Sequence, residues 1–168
     1  MPTMAVLKAI TDNVQQLTLP PGIDGAALLQ AFAWVESSGG INAVARHEDA
    51  FCPNQRGTYA VGPTSGMVRG RHSMWGCLAC CSYGPWQVLY HTAADLGFVG
   101  SPTLLSDPAV NVVWAVTLLN RIVKRGAADV RDIADAYNSG THRDANRVPE
   151  YTTKLGARYD ALVPGKDT

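Results

Sequence analysis

Apolar residues recur along most of this chain at spacings of three and four, the period of a helix that buries one face. In "DGAALLQAFAWVESSGG" the buried stripe is Leu28, Leu29, Phe32 and Val35, with Glu36 on the same side, Asp24 as N-cap and Gly39 as stop. The stretch "YGPWQVLYHTAADLG" predicts a second helix that opens at Pro85 and leaves at Gly97. Asp107 and Pro108 announce a third, which runs through Trp114, Leu118 and Ile122 to Gly126. "DVRDIADAYNSG" gives a fourth, with Val130, Ile133, Ala134 and Tyr137 on one face and Gly140 as terminator. Pro149 opens a fifth that carries Tyr151, Leu155 and Leu162, and residues 3–17 form a leading helix. The expectation is an all-α protein, with a helix and linker over 1–23 and the main domain over 24–165.

One stretch breaks this period. Residues 45–81, "ARHEDAFCPNQRGTYAVGPTSGMVRGRHSMWGCLACC", are rich in Gly, Pro and polar side chains and longer than ordinary connections. They join the helix that ends near Glu36 to the one that follows, so the expectation is a long loop at the border of a cleft, with a short β-hairpin around Thr58 to Val61.

With 168 residues the chain is large enough to bury a core without staples. Fourteen basic and fourteen acidic side chains balance. That removes the electrostatic case for a dedicated nucleic-acid binder. No window has the roughly 18 uncharged apolar residues of a membrane span, and no secretion signal is visible, so neither membrane insertion nor a nucleic-acid partner is expected.

Glu36 is the chemically informative residue. Burial on an apolar stripe and a place at the negative end of a helix dipole both disfavour its charged form. Such a carboxyl keeps a proton near neutral pH and can deliver it to a leaving oxygen as a general acid.

Three further motifs follow "ESSGG" in order: "SYGPWQV" from Ser82, "ADAYNSG" ending at Gly140, and "VPEYTTKLGARYDAL" with Tyr151. The series resembles the soluble lytic transglycosylase family of the goose-type lysozyme-like fold, over about residues 25 to 160. That family reads Glu-Ser, Ser-x-Gly-Leu-Met-Gln, Ala-Tyr-Asn-Ala-Gly and a later Tyr. The resemblance implies that Glu36 is the single catalytic acid and that Ser37 stands beside it. It further implies substrate contacts from Ser82, Gly84, Gln87, Tyr137 and Asn138, with Tyr151 near the acid. Pro85 and Trp86 replace the family's Leu-Met, and Trp86 is expected to offer a flat apolar surface to sugar.

The implied substrate is peptidoglycan, cut by a monomer at the β-1,4 bond between N-acetylmuramic acid and N-acetylglucosamine, with no cofactor and no metal in the site. A two-carboxylate glycosidase needs a second acid at a set distance, and none sits in a matching motif. Substrate assistance by the 2-acetamido group, with closure of a 1,6-anhydro ring, is therefore expected. If Glu48 or Asp49 positions a water, the same fold becomes a hydrolysing lysozyme; a non-catalytic wall-binding or virion module is the remaining reading. Action in the periplasm or at the cell wall follows, and the setting expected is a bacteriophage endolysin released through a holin pore or a virion-associated enzyme, with a secretion-system component as the alternative.

Cys52, Cys77, Cys80 and Cys81 crowd into the long loop with His47 and His72 nearby. A structural metal, a disulfide and buried free thiols all remain open for them, and none is required by the chemistry.

Overall fold

A computed structural model describes residues 1–53, 66–140 and 149–163. Among these residues seven α-helices surround a small antiparallel sheet: α1 (Met4–Asn13), α2 (Gly25–Ser37), β1 (Arg46–His47), α3 (Gly66–Trp75), β2 (Cys81–Tyr83), β3 (Val88–Leu89), α4 (Tyr90–Asp95), α5 (Pro108–Lys124), α6 (Val130–Ser139) and α7 (Pro149–Asp160).

The helix ends obey the local chemistry of their sequences. Asp24, Asp107 and Asp129 each accept a backbone N–H from the first turn of α2, α5 and α6. Gly140 closes α6 in the left-handed conformation. At the end of α2 the left-handed residue is Ser38, one place before the expected stop, and Gly39 and Gly40 continue at positive φ. A Cβ on Gly40 would lie 2.6 Å from Val6 Cγ2, so this turn lets α1 pack directly against the end of α2.

Helix α2 is the centre of the core. Leu28, Leu29, Ala31, Phe32 and Ala33 are fully buried, joined by Val6 of α1, Val112 and Leu119 of α5, Ile133 of α6 and Leu155 of α7. Tyr159 of α7 accepts the backbone N–H of Asp24 at 2.8 Å, which ties the last helix to the first turn of α2.

Two expectations are corrected. No helix opens at Pro85: Ser82 and Tyr83 pair with Leu89 and Val88, residues 84–87 form the turn between these strands, and the helix begins only at Tyr90. The described parts of the long segment also contain regular structure. Arg46 pairs with Ser82 and His47 with Cys81, and α3 and a 3-10 turn (Gly76–Cys80) lead back into β2. The hairpin expected at Thr58 to Val61 lies outside the described residues.

Candidate active site

Residues from three directions converge on Glu36. The last turn of α2 presents the Glu36 side chain, of which 8 % remains exposed, to a cleft of about 320 Å3. Glu36 shares the lining of that cleft with Arg46, Glu48, Ser82, Gln87, Tyr137 and Asn138. A second hollow of about 240 Å3 is also lined by Glu36, Arg46 and Asn138, together with Tyr151, Glu150 and Lys154. Glu36 therefore borders both hollows.

The hydrogen bonding around Glu36 is specific. Tyr151 donates its hydroxyl to Oε1 at 2.5 Å, and Arg46 Nη1 stands 3.8 Å from Oε2. Burial is the largest influence and raises the pKa of Glu36 above its ordinary value; the Tyr151 bond and the Arg46 charge pull the other way, and Glu48 adds to the rise. Tyr151 itself is held well above its usual range, first by burial and then by the charge of Glu36, so it keeps its proton and acts as donor.

Glu48 forms the opposite wall. Its Oε1 accepts Arg46 Nε at 2.9 Å and the hydroxyl of Ser82 at 2.8 Å, and its backbone N–H donates to Cys80 O at 2.9 Å. Arg46 therefore stands between the two carboxylates of the cleft. The two carboxyls thus differ in setting: Glu36 is the more deeply buried, and Glu48 is hydrogen-bonded by Arg46 and Ser82.

The family model of the transglycosylase SLT domain matches residues 15–159. The chain belongs to this family. No curated protein and no solved structure matches it. Its activity class is lytic transglycosylation and its substrate is peptidoglycan.

The transglycosylase domain brings some of the expected contact residues to the cleft and gives others to the scaffold. Ser82, Gln87, Tyr137 and Asn138 line the cleft, and Tyr151 touches Glu36. Trp86 is fully buried, with its indole N–H on Leu29 O at 2.9 Å, so the expected sugar surface is corrected to a core anchor. Ser37 is also interior: its hydroxyl lies 2.9 Å from Ala33 O and 2.8 Å from Pro85 O, and it accepts Gly40 N–H. Gly84 has a packing reason of its own, because a Cβ there would fall 2.5 Å from Leu105 O and 2.6 Å from Asn111 Cγ.

Motif "SYGPWQV" is thus mainly a structural joint. Asn111 of α5, fully buried, accepts Trp86 N–H and donates to Tyr83 O, while Tyr137 donates to Trp86 O at 2.6 Å. Gln87, at φ 45°, spends its Nε2 on Val44 O and Gly84 O. These bonds fix the turn against α2, α5 and α6 and so set where the sheet wall stands relative to Glu36.

Sequence reasoning passed over Arg46 and left Glu48 unplaced. A signal existed in "RHE": residues two apart point to the same face of a strand, so Arg46 and Glu48 share a side whenever the segment is extended.

Proposed function

We propose that Glu36 serves as both general acid and general base in cleaving the MurNAc-β-1,4-GlcNAc bond, and that the product ends in 1,6-anhydro-MurNAc. The observation that carries this reading is the buried Glu36 side chain, held by Tyr151 and lining both hollows.

With Tyr151 donating to Oε1, Oε2, which lies 3.8 Å from Arg46 Nη1, is the oxygen left to carry the proton of the acid form. Oε2 passes that proton to the leaving glycosidic oxygen. The muramoyl 2-acetamido group meets the positive charge at the anomeric carbon, as in substrate-assisted glycosidases. Arg46 and the Tyr151 hydroxyl stabilise the carboxylate left behind. Oε2 then takes the proton of the muramoyl 6-hydroxyl as its oxygen attacks the anomeric carbon, which restores Glu36 and consumes no water. Asn138, on the rim of both hollows, is suited to hold a sugar across the bond that breaks. Peptidoglycan as substrate supports a place of action in the periplasm or at the cell wall.

A second reading, hydrolysis, is favoured by one observation: Glu48 lines the same cleft as Glu36. Its Oε1 is held by Arg46 and Ser82, which supports a role for Glu48 in positioning Arg46, and the anhydro product is the reading preferred. Mass spectrometry of muropeptides from a purified sacculus digest separates the two, because the anhydro end is lighter by one water, about 18 daltons. Reducing-end muramic acid as the main product would remove the transglycosylase mechanism.

A further inference from the structure

The cysteine-rich side of the sheet carries chemistry that the cleft does not use. Cys52 follows a 3-10 turn (Asp49–Phe51), His72 lies on α3, and Cys77 and Cys80 bracket the two residues Leu78 and Ala79 of the 3-10 turn before β2. One ligand atom from each of Cys52, His72 and Cys77 lies within 4.8 Å of the others. Cys80 is joined to Cys52 in a disulfide, with the two Cα atoms 5.4 Å apart. Cys52 and the continuous stretch 72–80 thus deliver three sulfurs and an imidazole to one place.

We propose that in the reduced protein Cys52, His72, Cys77 and Cys80 bind one zinc ion, and that the Cys52–Cys80 disulfide is the metal-free, oxidised form of the same clamp. Three thiolates and an imidazole are a soft donor set that selects zinc over magnesium or calcium, and two cysteines separated by two residues are a usual half of a structural site. A tetrahedral ion with bonds of about 2.0–2.3 Å places its ligands roughly 3.5 Å apart. The ligand atoms of Cys52, His72 and Cys77, now within 4.8 Å of one another, would draw together to that spacing, with Cys80 released from Cys52 by reduction.

The clamp also has a position that gives it an effect. Cys80 O accepts the backbone N–H of Glu48, and Cys81 pairs with His47, so whatever fixes residues 77–80 to residue 52 also fixes the strand that carries Arg46 and Glu48. Either form of the clamp would hold the sheet wall at its distance from Glu36.

Reduction by a phosphine breaks the S–S bond: the phosphine gives two electrons and takes the oxygen of a water, and the two hydrogens of that water become the thiol protons of Cys52 and Cys80. Zinc then displaces the protons of three thiols, which pass to buffer. The test is to titrate the phosphine-reduced full chain with zinc and, separately, with cobalt. One equivalent of zinc should bind, and cobalt should give a thiolate charge-transfer band with tetrahedral d–d absorption. Without reductant, zinc affinity should be at least about a hundredfold weaker. His72→Ala and Cys77→Ser should each lower affinity at least about tenfold to a hundredfold, and Cys81→Ser should leave it unchanged. Should a variant misfold by circular dichroism, the wild type decides: zinc should shield Cys52, Cys77 and Cys80, but not Cys81, from iodoacetamide. Absence of stoichiometric zinc in the reduced chain, an octahedral cobalt spectrum, or equal alkylation of all four thiols would overturn the site.

Discussion

The two walls of the cleft hold carboxylates in opposite ways. On the helical wall the Glu36 side chain is almost wholly buried, meets the Tyr151 hydroxyl and stands 3.8 Å from Arg46, and desolvation outweighs these partners, so its pKa rises. On the sheet wall Glu48 keeps 28 % of its side chain exposed and is hydrogen-bonded by the same guanidinium and a serine. Burial dominates one carboxyl and hydrogen bonding the other. The difference teaches that the count of carboxylates in a cleft does not assign a mechanism; what surrounds each one does.

The strongest way to break that comparison is Glu36→Gln. Lysis of purified wall should fall at least about a hundredfold, the scale of lost general acid catalysis, while glycan binding persists. The same variant should be no less thermally stable at neutral pH. Glu36 titrates above its ordinary value in the folded state, so between that value and its folded pKa the folded chain binds more protons than the unfolded one. Stability contributed by this group therefore falls as pH rises, and an amide removes the penalty. Near-normal lysis would end the assignment of Glu36, and a large fall in melting temperature would mark it as a structural residue.

Next in size is Tyr151→Phe. Its hydroxyl lowers the pKa of Glu36, so its loss should move the alkaline limb of the rate profile to higher pH and reduce turnover about tenfold through a less fixed carboxyl. Glu48→Gln should do the reverse on a smaller scale. Glu48 raises the pKa of Glu36, so its neutralisation should move that limb to lower pH, with turnover reduced less than about tenfold. A loss of a hundredfold or more in Glu48→Gln would transfer the second carboxylate to the chemistry and favour hydrolysis.

The helical wall was legible in sequence because its signals are periodic and local. The stripe from Leu28 to Glu36, the Asp caps and the stop at Gly140 each leave a mark within a few residues. The sheet wall was not. A strand of two residues has no period to detect, and the pairing of Arg46 with Ser82 spans residues far apart in the chain. Trp86 shows a different failure. A motif position fixes where a residue stands in the backbone, but the direction of its side chain is set by what Leu29 and Asn111 offer across the core, which no local pattern records. Likewise Pro85 suits a helix start in isolation, while Ser37 and Asn111 hold its neighbourhood as a turn.

The smallest effect should come from behind the sheet wall, where His91 is the counterpart of Glu36. It is 3 % exposed, packs against Phe51 and Tyr90, and among the described residues neither ring nitrogen has a hydrogen-bond partner. Burial, aided by the charge of Arg71 and opposed by Asp95, pushes its pKa down to about 4 from 6.5. The unfolded chain therefore takes up this proton first as pH falls. Stability from His91 is complete above about 6.5 and is lost progressively between there and about 4, by at most about 3 kcal/mol. This is the opposite sense to Glu36, whose contribution falls as pH rises. His91→Leu should flatten the acid side of the stability curve over that window while leaving the alkaline side as it is, measured as melting temperature against pH. An unchanged acid slope in His91→Leu would show that burial does not depress the titration of this ring in the fold, and would remove its contrast with Glu36.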